Sequence, residues 1–461
     1  MTAEVAILNR EAVVMAADSA LTLGGQVGKV YNSANKLFAL SRLEPVAVMV
    51  YGGGSFEGIP WATVVKEHRR HLSLQTFDTV EQYAAEFIEY LSSLIHHMPV
   101  EFLQARVRMR ASWELDRLRK AVDRTLADEH GDGEQVVGQV LMDQIESRLQ
   151  RLEELDTGDG PGESVAAREL DEAIDDWDTL VKRSLKGLPV TDRVRTNVRA
   201  MVCASLGNAV WGPASSGVVV AGFGRAQMFP ALSLYLVDGV HAGRVRARQL
   251  EEIQIGWEDS AAICPFAQQD MVQTFMDGLH PDYPRALGEF VDETIKLFAA
   301  HFGDRVKDAV SSDDYAALID TMDRARLDIV EHFHSQLRDL LETQHSDPVM
   351  AVVDMLPKEE LAEMAEALVN LTSLKRRVTP DDETVGGPVD VAVISKGDGL
   401  VWIKRKHYFA PEMNPRYFEQ DRGLRTSDRV GGRNEQNVRG SDPPREDQKK
   451  PSSGPYGVRP G

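Results

Sequence analysis

The apolar positions at the start of the chain fall into two short runs, Val5 to Leu8 and Val13 to Ala17, on either side of the polar corner Asn9-Arg10-Glu11. β-branched runs around such a corner predict a tight hairpin. Lys36 to Leu40 and Val46 to Tyr51 predict further strands, after a turn at Leu23-Gly24-Gly25. From Ser55 to Leu74 the pattern becomes helical. Val80, Tyr83, Ala84, Phe87, Leu91, Leu94 and Met98 then recur at helical spacing behind a capping box at Asp78 and Glu81, and Pro99 closes that helix. Arg106 to Leu126 mixes charged and aliphatic residues as a long solvated helix does, and Val137, Leu141, Ile145 and Leu149 continue the helical period. Residues 216–256 return to alternating strands. Helices are predicted at Ala267 to Leu279 and Arg285 to Phe302, with His280-Pro-Asp-Tyr-Pro between them, and at Asp313 to Leu341 and Pro357 to Leu374. Val389 to Lys406 reads as a closing hairpin around Lys396-Gly-Asp-Gly. Beyond residue 419 aliphatic residues are too few to offset ordering entropy, so 420–461 is expected to be a disordered tail.

Charge narrows the function classes. The net charge of −20 over 461 residues argues against nucleic acid as the main partner. Much of it is local: between Asp128 and Asp178 seventeen acidic residues face three basic ones, which predicts an inserted helical hairpin with an acidic face. Only Cys203 and Cys264 are present, which excludes a disulfide framework and zinc-type cysteine spacing. His96 and His97 are adjacent and His332 and His334 lie two apart, so neither pair has ligand spacing on a helix. Gly52-Gly53-Gly54-Ser55 lacks the Gly-Lys-Ser/Thr that would complete a phosphate loop. No stretch resembles a signal peptide or approaches the ~20 apolar residues of a spanning helix, so a soluble cytoplasmic protein without membrane contact is expected.

The candidate chemistry lies at the start. Thr2 follows Met1, and a residue that small normally allows the methionine to be removed. The exposed threonine would carry a hydroxyl beside an α-amine of pKa roughly 7.7–8.0, an amine basic enough to activate it near neutral pH.

Thr2 opening a strand, then Val-Val-Met-Ala-Ala-Asp18-Ser, resembles a proteasome β-type subunit and the proteolytic subunit of HslV-type proteases, both N-terminal-nucleophile hydrolases. Three further stretches are similar to the family in the same order. Lys36-Leu-Phe-Ala-Leu with Gly52-Gly53-Gly54-Ser55 resembles its lysine strand and glycine turn. Val218 to Gly224 with Leu234 to Gly239 resembles its central hairpin, and Asp382-Glu-Thr-Val-Gly386-Gly387 resembles its closing Asp-x-x-Ser-Gly-Gly turn.

The resemblance implies an α+β fold, a four-layer αββα sandwich enlarged by large helical insertions. Its core would comprise 1–99, 211–302 and 346–419, with an acidic helical insertion at 100–210 and another at 303–345. It implies threonine peptidase activity through an acyl-enzyme ester. Thr2 would be the nucleophile, Lys36 would keep the amine neutral, and Asp18 would fix Lys36. The N–H of Gly52 or Gly53 would form the oxyanion hole and Asp382 would stand near the amine. No metal or organic cofactor is called for. The implied partners are a peptide or protein substrate, further copies of the chain in a ring, and an ATP-dependent unfoldase. Three positions depart from the family: Ala20 where an arginine is common, Val385 in place of the serine before the Gly-Gly pair, and Cys264-Pro-Phe-Ala-Gln-Gln where a Gly-Ser-Gly turn is expected. They keep open a catalytically silent scaffold, beside a small-amide hydrolase using the same nucleophile.

Overall fold

Both apolar runs of the first hairpin are buried on both faces: β1 (Ala3–Asn9) and β2 (Ala12–Ala17) contain no exposed residue. Asn9 locks the corner, accepting the N–H groups of Glu11 at 3.0 Å and Ala12 at 3.2 Å while its amide donates to the Val353 and Leu356 carbonyls. This computed structural model describes residues 2–23, 29–129, 134–154, 162–207, 211–212, 215–241, 243–307, 309–379, 385–407 and 409–414.

The remaining strands are β3 (Leu21–Leu23), β4 (Lys29–Tyr31), β5 (Leu37–Ala39), β6 (Val46–Gly52), β7 (Ser55–Phe56), β8 (Ile59–Pro60), β9 (Ser216–Gly222), β10 (Ala231–His241), β11 (Arg244–Gln254), β12 (Ala261–Ala267), β13 (Asp390–Ser395) and β14 (Gly399–Lys404). Two five-stranded sheets result, in the orders β12-β1-β2-β13-β14 and β11-β10-β9-β6-β5, and every pairing is antiparallel. β3 with β4 and β7 with β8 form small ribbons.

The helices are α1 (Trp61–Leu72), α2 (Val80–Leu94), α3 (Val100–Glu129), α4 (Glu134–Glu153), α5 (Glu163–Ala173), α6 (Trp177–Ser184), α7 (Asp192–Gly207), α8 (Asp270–Asp277), α9 (Asp282–Val306), α10 (Ser312–Leu341), α11 (Asp347–Met355) and α12 (Lys358–Val378).

Alternation along β1 explains the unbroken runs. Val5 and Ile7 pack with Val353 of α11 and Leu361, Ala365 and Leu368 of α12. Ala6 and Leu8 point the other way and meet Ala47, Met49, Val219 and Ala221 of the second sheet. On that sheet's far side Val48, Val50, Val218 and Val220 pack against Trp61 and Val64 of α1 and Tyr83 and Phe87 of α2. Each strand near the middle is covered above and below, so no polar face interrupts it.

Residues 100–207 build a separate apolar cluster from α3 to α7. Among the described residues five helices stand where a hairpin was expected. α3 is not solvated either: Val107, Ala111, Leu115, Leu118 and Val122 are its buried side. Buried carboxylates tie this bundle to the rest of the fold: Arg110 is 3.1 Å from Asp238 of β10, and Arg106 is 2.6 Å from Glu57 in the turn between β7 and β8. α9 and α10 form a long antiparallel hairpin, since Gly288 meets His334, Asp292 pairs with Arg326, and Gly303 meets Tyr315 and Ile319.

Other boundaries moved for physical reasons. The N-cap of α2 is Thr79 with Gln82 completing the box, one residue beyond the expected pair. α1 begins at Trp61, because Ser55 to Pro60 is taken up by β7 and β8. β12 was not expected, since it is short in β-branched residues and carries Pro265, which an edge strand tolerates. α11 was likewise not anticipated. Among the described residues no helix is long and apolar enough to cross a membrane. The tail expected at 420–461 lies outside the described residues. Residues from His407 onward separate as their own unit, in which Pro411–Met413 form a 3-10 turn.

Candidate active site

The spacing from Thr2 to Asp18 is the hairpin register made visible. Glu4 pairs with Ala17, and the next step places Asp18 beside Ala3, whose carbonyl accepts the Asp18 N–H at 3.1 Å. The Asp18 carboxylate is buried and saturated. One oxygen accepts the Ala3 N–H at 3.2 Å and the Lys36 ammonium; the other accepts the N–H groups of Ala20 at 3.2 Å and Gly386 at 2.9 Å. Lys36 comes from the other sheet, immediately before β5, with its carbonyl held by the Val50 N–H at 2.9 Å. Its side chain spans the gap between the sheets.

A closing latch holds this arrangement. Ser19 donates its N–H to the Gly386 carbonyl at 3.1 Å and its hydroxyl to the Pro388 carbonyl, and its own carbonyl accepts the Ala34 N–H. Gly387 has φ +81° and a β-carbon there would stand 2.7 Å from Asn32 Cβ, so this turn requires glycine. Val385 is buried, offering no hydroxyl where the family pattern has serine.

Glu4 is the residue the sequence reading missed. It lies two residues after Thr2 on the same face of β1, is 2% exposed, and brings Oε1 to 3.1 Å from Lys36 Nζ. Apart from that ion pair neither carboxyl oxygen has a hydrogen-bond partner among the described residues. Burial pushes its pKa up to about 7; Lys36 opposes the rise and the Asp18 charge adds to it. Thr2 Oγ1 is also buried without a hydrogen bond of good geometry, although it lies near enough to favour the ionised Glu4 slightly. The available signal was a lone acid in a strand otherwise apolar on both faces.

Around this cluster, Tyr51 stacks on Phe266, the cross-strand partner of Glu4, with centroids 5.7 Å apart. Burial, then the Glu4 charge, pushes the Tyr51 phenol up to about 12. Asp390 lies across from Ala17 and binds both the N–H and the ammonium of Lys406; burial lowers the Lys406 pKa. Cys264 is buried and its thiol is pushed up to about 12 by burial, which leaves it a packing residue.

The glycine turn divides. Gly52 sits at φ +81° with Ser215 O 2.6 Å from where its β-carbon would be, so its own backbone neighbour demands glycine. Gly53 donates its N–H to Ser215 O at 3.0 Å and is not free to serve an oxyanion, which leaves Gly52 as the candidate donor. Asp382 lies outside the described residues. Gln268, at the expected Gly-Ser-Gly position, is buried and held by Arg376 of α12. Among the described residues no group of acidic, histidine and cysteine side chains could hold a metal ion.

Compared with family models, with curated proteins and with solved structures, the chain matches none.

Proposed function

We propose that the chain is an N-terminal threonine hydrolase acting on peptide bonds, and that its stacked sheets and flanking helices are the four-layer αββα sandwich of the proteasome-like N-terminal-nucleophile hydrolases. The observation that carries this reading is the cluster next to Thr2: Asp18 accepts the N–H of Ala3, and Lys36, from the other sheet, binds both Asp18 and Glu4, the acid nearest the Thr2 hydroxyl. A buried lysine between two carboxyl groups beside an unpaired hydroxyl is costly to build for stability alone, because desolvating the ammonium and its carboxylate offsets most of their attraction.

With Met1 removed, Thr2 Oγ1 attacks the carbonyl carbon and its proton passes to the free α-amine. The positive charge of Lys36 stabilises the developing alkoxide, and Asp18 holds that charge in place. The Gly52 N–H supports the oxyanion. Collapse breaks the amide C–N bond, the leaving amine takes the proton, and water then opens the ester at Thr2. The reaction needs no metal or cofactor. Substrate would be a peptide or unfolded protein, further copies of the chain would enclose the site, and an ATP-dependent unfoldase would be the matching partner.

Two observations support a catalytically silent scaffold as the second reading: Thr2 is 5% exposed, and the buried Val385 supplies no hydroxyl to the amine. The test is hydrolysis of a panel of amino-terminally blocked fluorogenic peptides by protein beginning at Thr2. Turnover lost in Thr2→Ala supports the hydrolase. Equal signal from both proteins, or none from either, favours the scaffold.

A further inference from the structure

α9 has two lines to cover. One, through Gly288, Asp292 and Gly303, faces α10. The other, rotated roughly half a turn at about 100° per residue, consists of Tyr283, Leu287, Phe290, Leu297, Phe298 and Phe302, which are 40 to 66% exposed. An apolar line left exposed away from a helix's packed side is built to be covered.

We propose that this second line is a self-docking surface, on which two copies of the chain pair α9 against α9, antiparallel, about a two-fold axis near Thr294. Register favours that occupant: antiparallel pairing about this axis lays the stripe of one copy along the stripe of the other. The same register sets Phe290 against the opposing leucine of the stripe and opposes the two helix dipoles. Area agrees. At about 200 Å² per large side chain, the exposed parts of the six amount to roughly 600 Å² per copy, most of the ~800 Å² each partner buries in a stable interface.

Other occupants fit less well. Residues 415–461 contain only Leu424, Val430, Val438 and Val458 as aliphatics, too few for a matching stripe. Asp282, Glu289, Glu293 and Asp304 lie along the helix and would repel an anionic lipid surface. This inference stands whether or not Thr2 is a nucleophile.

The test is light scattering and sedimentation of the full chain at micromolar concentration. Phe290→Glu with Phe298→Glu changes only exposed positions, leaves folding intact by circular dichroism, and is expected to weaken association ~100-fold or more and halve the particle mass. Thr294→Cys forms a disulfide between copies on oxidation. A wild-type monomer, or the same particle mass with Phe290→Glu and Phe298→Glu, overturns the proposal. A monomer that instead floats with neutral phosphatidylcholine vesicles transfers the stripe to a lipid surface.

Discussion

Glu4→Gln separates a buried titrating acid from an inert polar residue. In the folded protein the Glu4 carboxyl titrates at about 7, against 4.5 for the unperturbed group. Between those values the folded protein holds a proton that the unfolded chain has released, so stability falls as pH rises. The contribution is fully present below 4.5 and lost above about 7. At 1.36 kcal/mol per unit, the loss is roughly 3 kcal/mol. Glutamine has the same shape and nothing to titrate, and Asp18 still holds Lys36 in the variant. Urea unfolding of both proteins across a range from about pH 5 to about pH 8 gives the comparison. The variant should gain on the wild type as pH rises, by ~2–3 kcal/mol in total. A stability difference that stays flat with pH would refute the reasoning, because Glu4 would then be ionised throughout or accessible to water.

Three further outcomes are expected. Lys36→Ala leaves Asp18 and Glu4 buried without a counter-charge, so denaturant unfolding should show a loss of ~3–5 kcal/mol, with no hydrolysis remaining. Gly387→Ala forces a side chain into a left-handed backbone against Asn32, and thermal unfolding should register ~1–3 kcal/mol of destabilisation. Arg110→Ala leaves the buried Asp238 with Arg246 at 3.7 Å as its remaining near guanidinium; a loss of roughly 3 kcal/mol should accompany faster amide exchange in α3 and β10.

How far the chain could be read follows from where covalent spacing reports spatial spacing. Thr2 and Asp18 were legible together because a short corner fixes the register of the strands around it, and register alone brings residue 18 back to residue 3. The place of Lys36 beside Asp18 was suggested only by a resemblance, since nothing local says that a lysine before β5 crosses to another sheet. Glu4 was missed because one acid among apolar residues looks like an exposed position until both faces of β1 are known to be covered. The buried side of α3 was diluted by arginines with distant partners; that of Arg110 is Asp238, 128 residues away. β12 was hidden by Pro265, which only an edge position excuses. Gly53 looked equivalent to Gly52 until its N–H was found on Ser215.

The most direct test of a nucleophilic Thr2 is the intact mass of the purified protein before and after incubation with a peptide epoxyketone, beside Thr2→Ala. Such a probe closes a ring that needs both the hydroxyl and the free amine of a terminal threonine. Loss of Met1 and a single adduct that the alanine variant lacks is the expected result. A free Thr2 that gains no adduct, or a retained Met1, would contradict the hydrolase and leave the chain a scaffold.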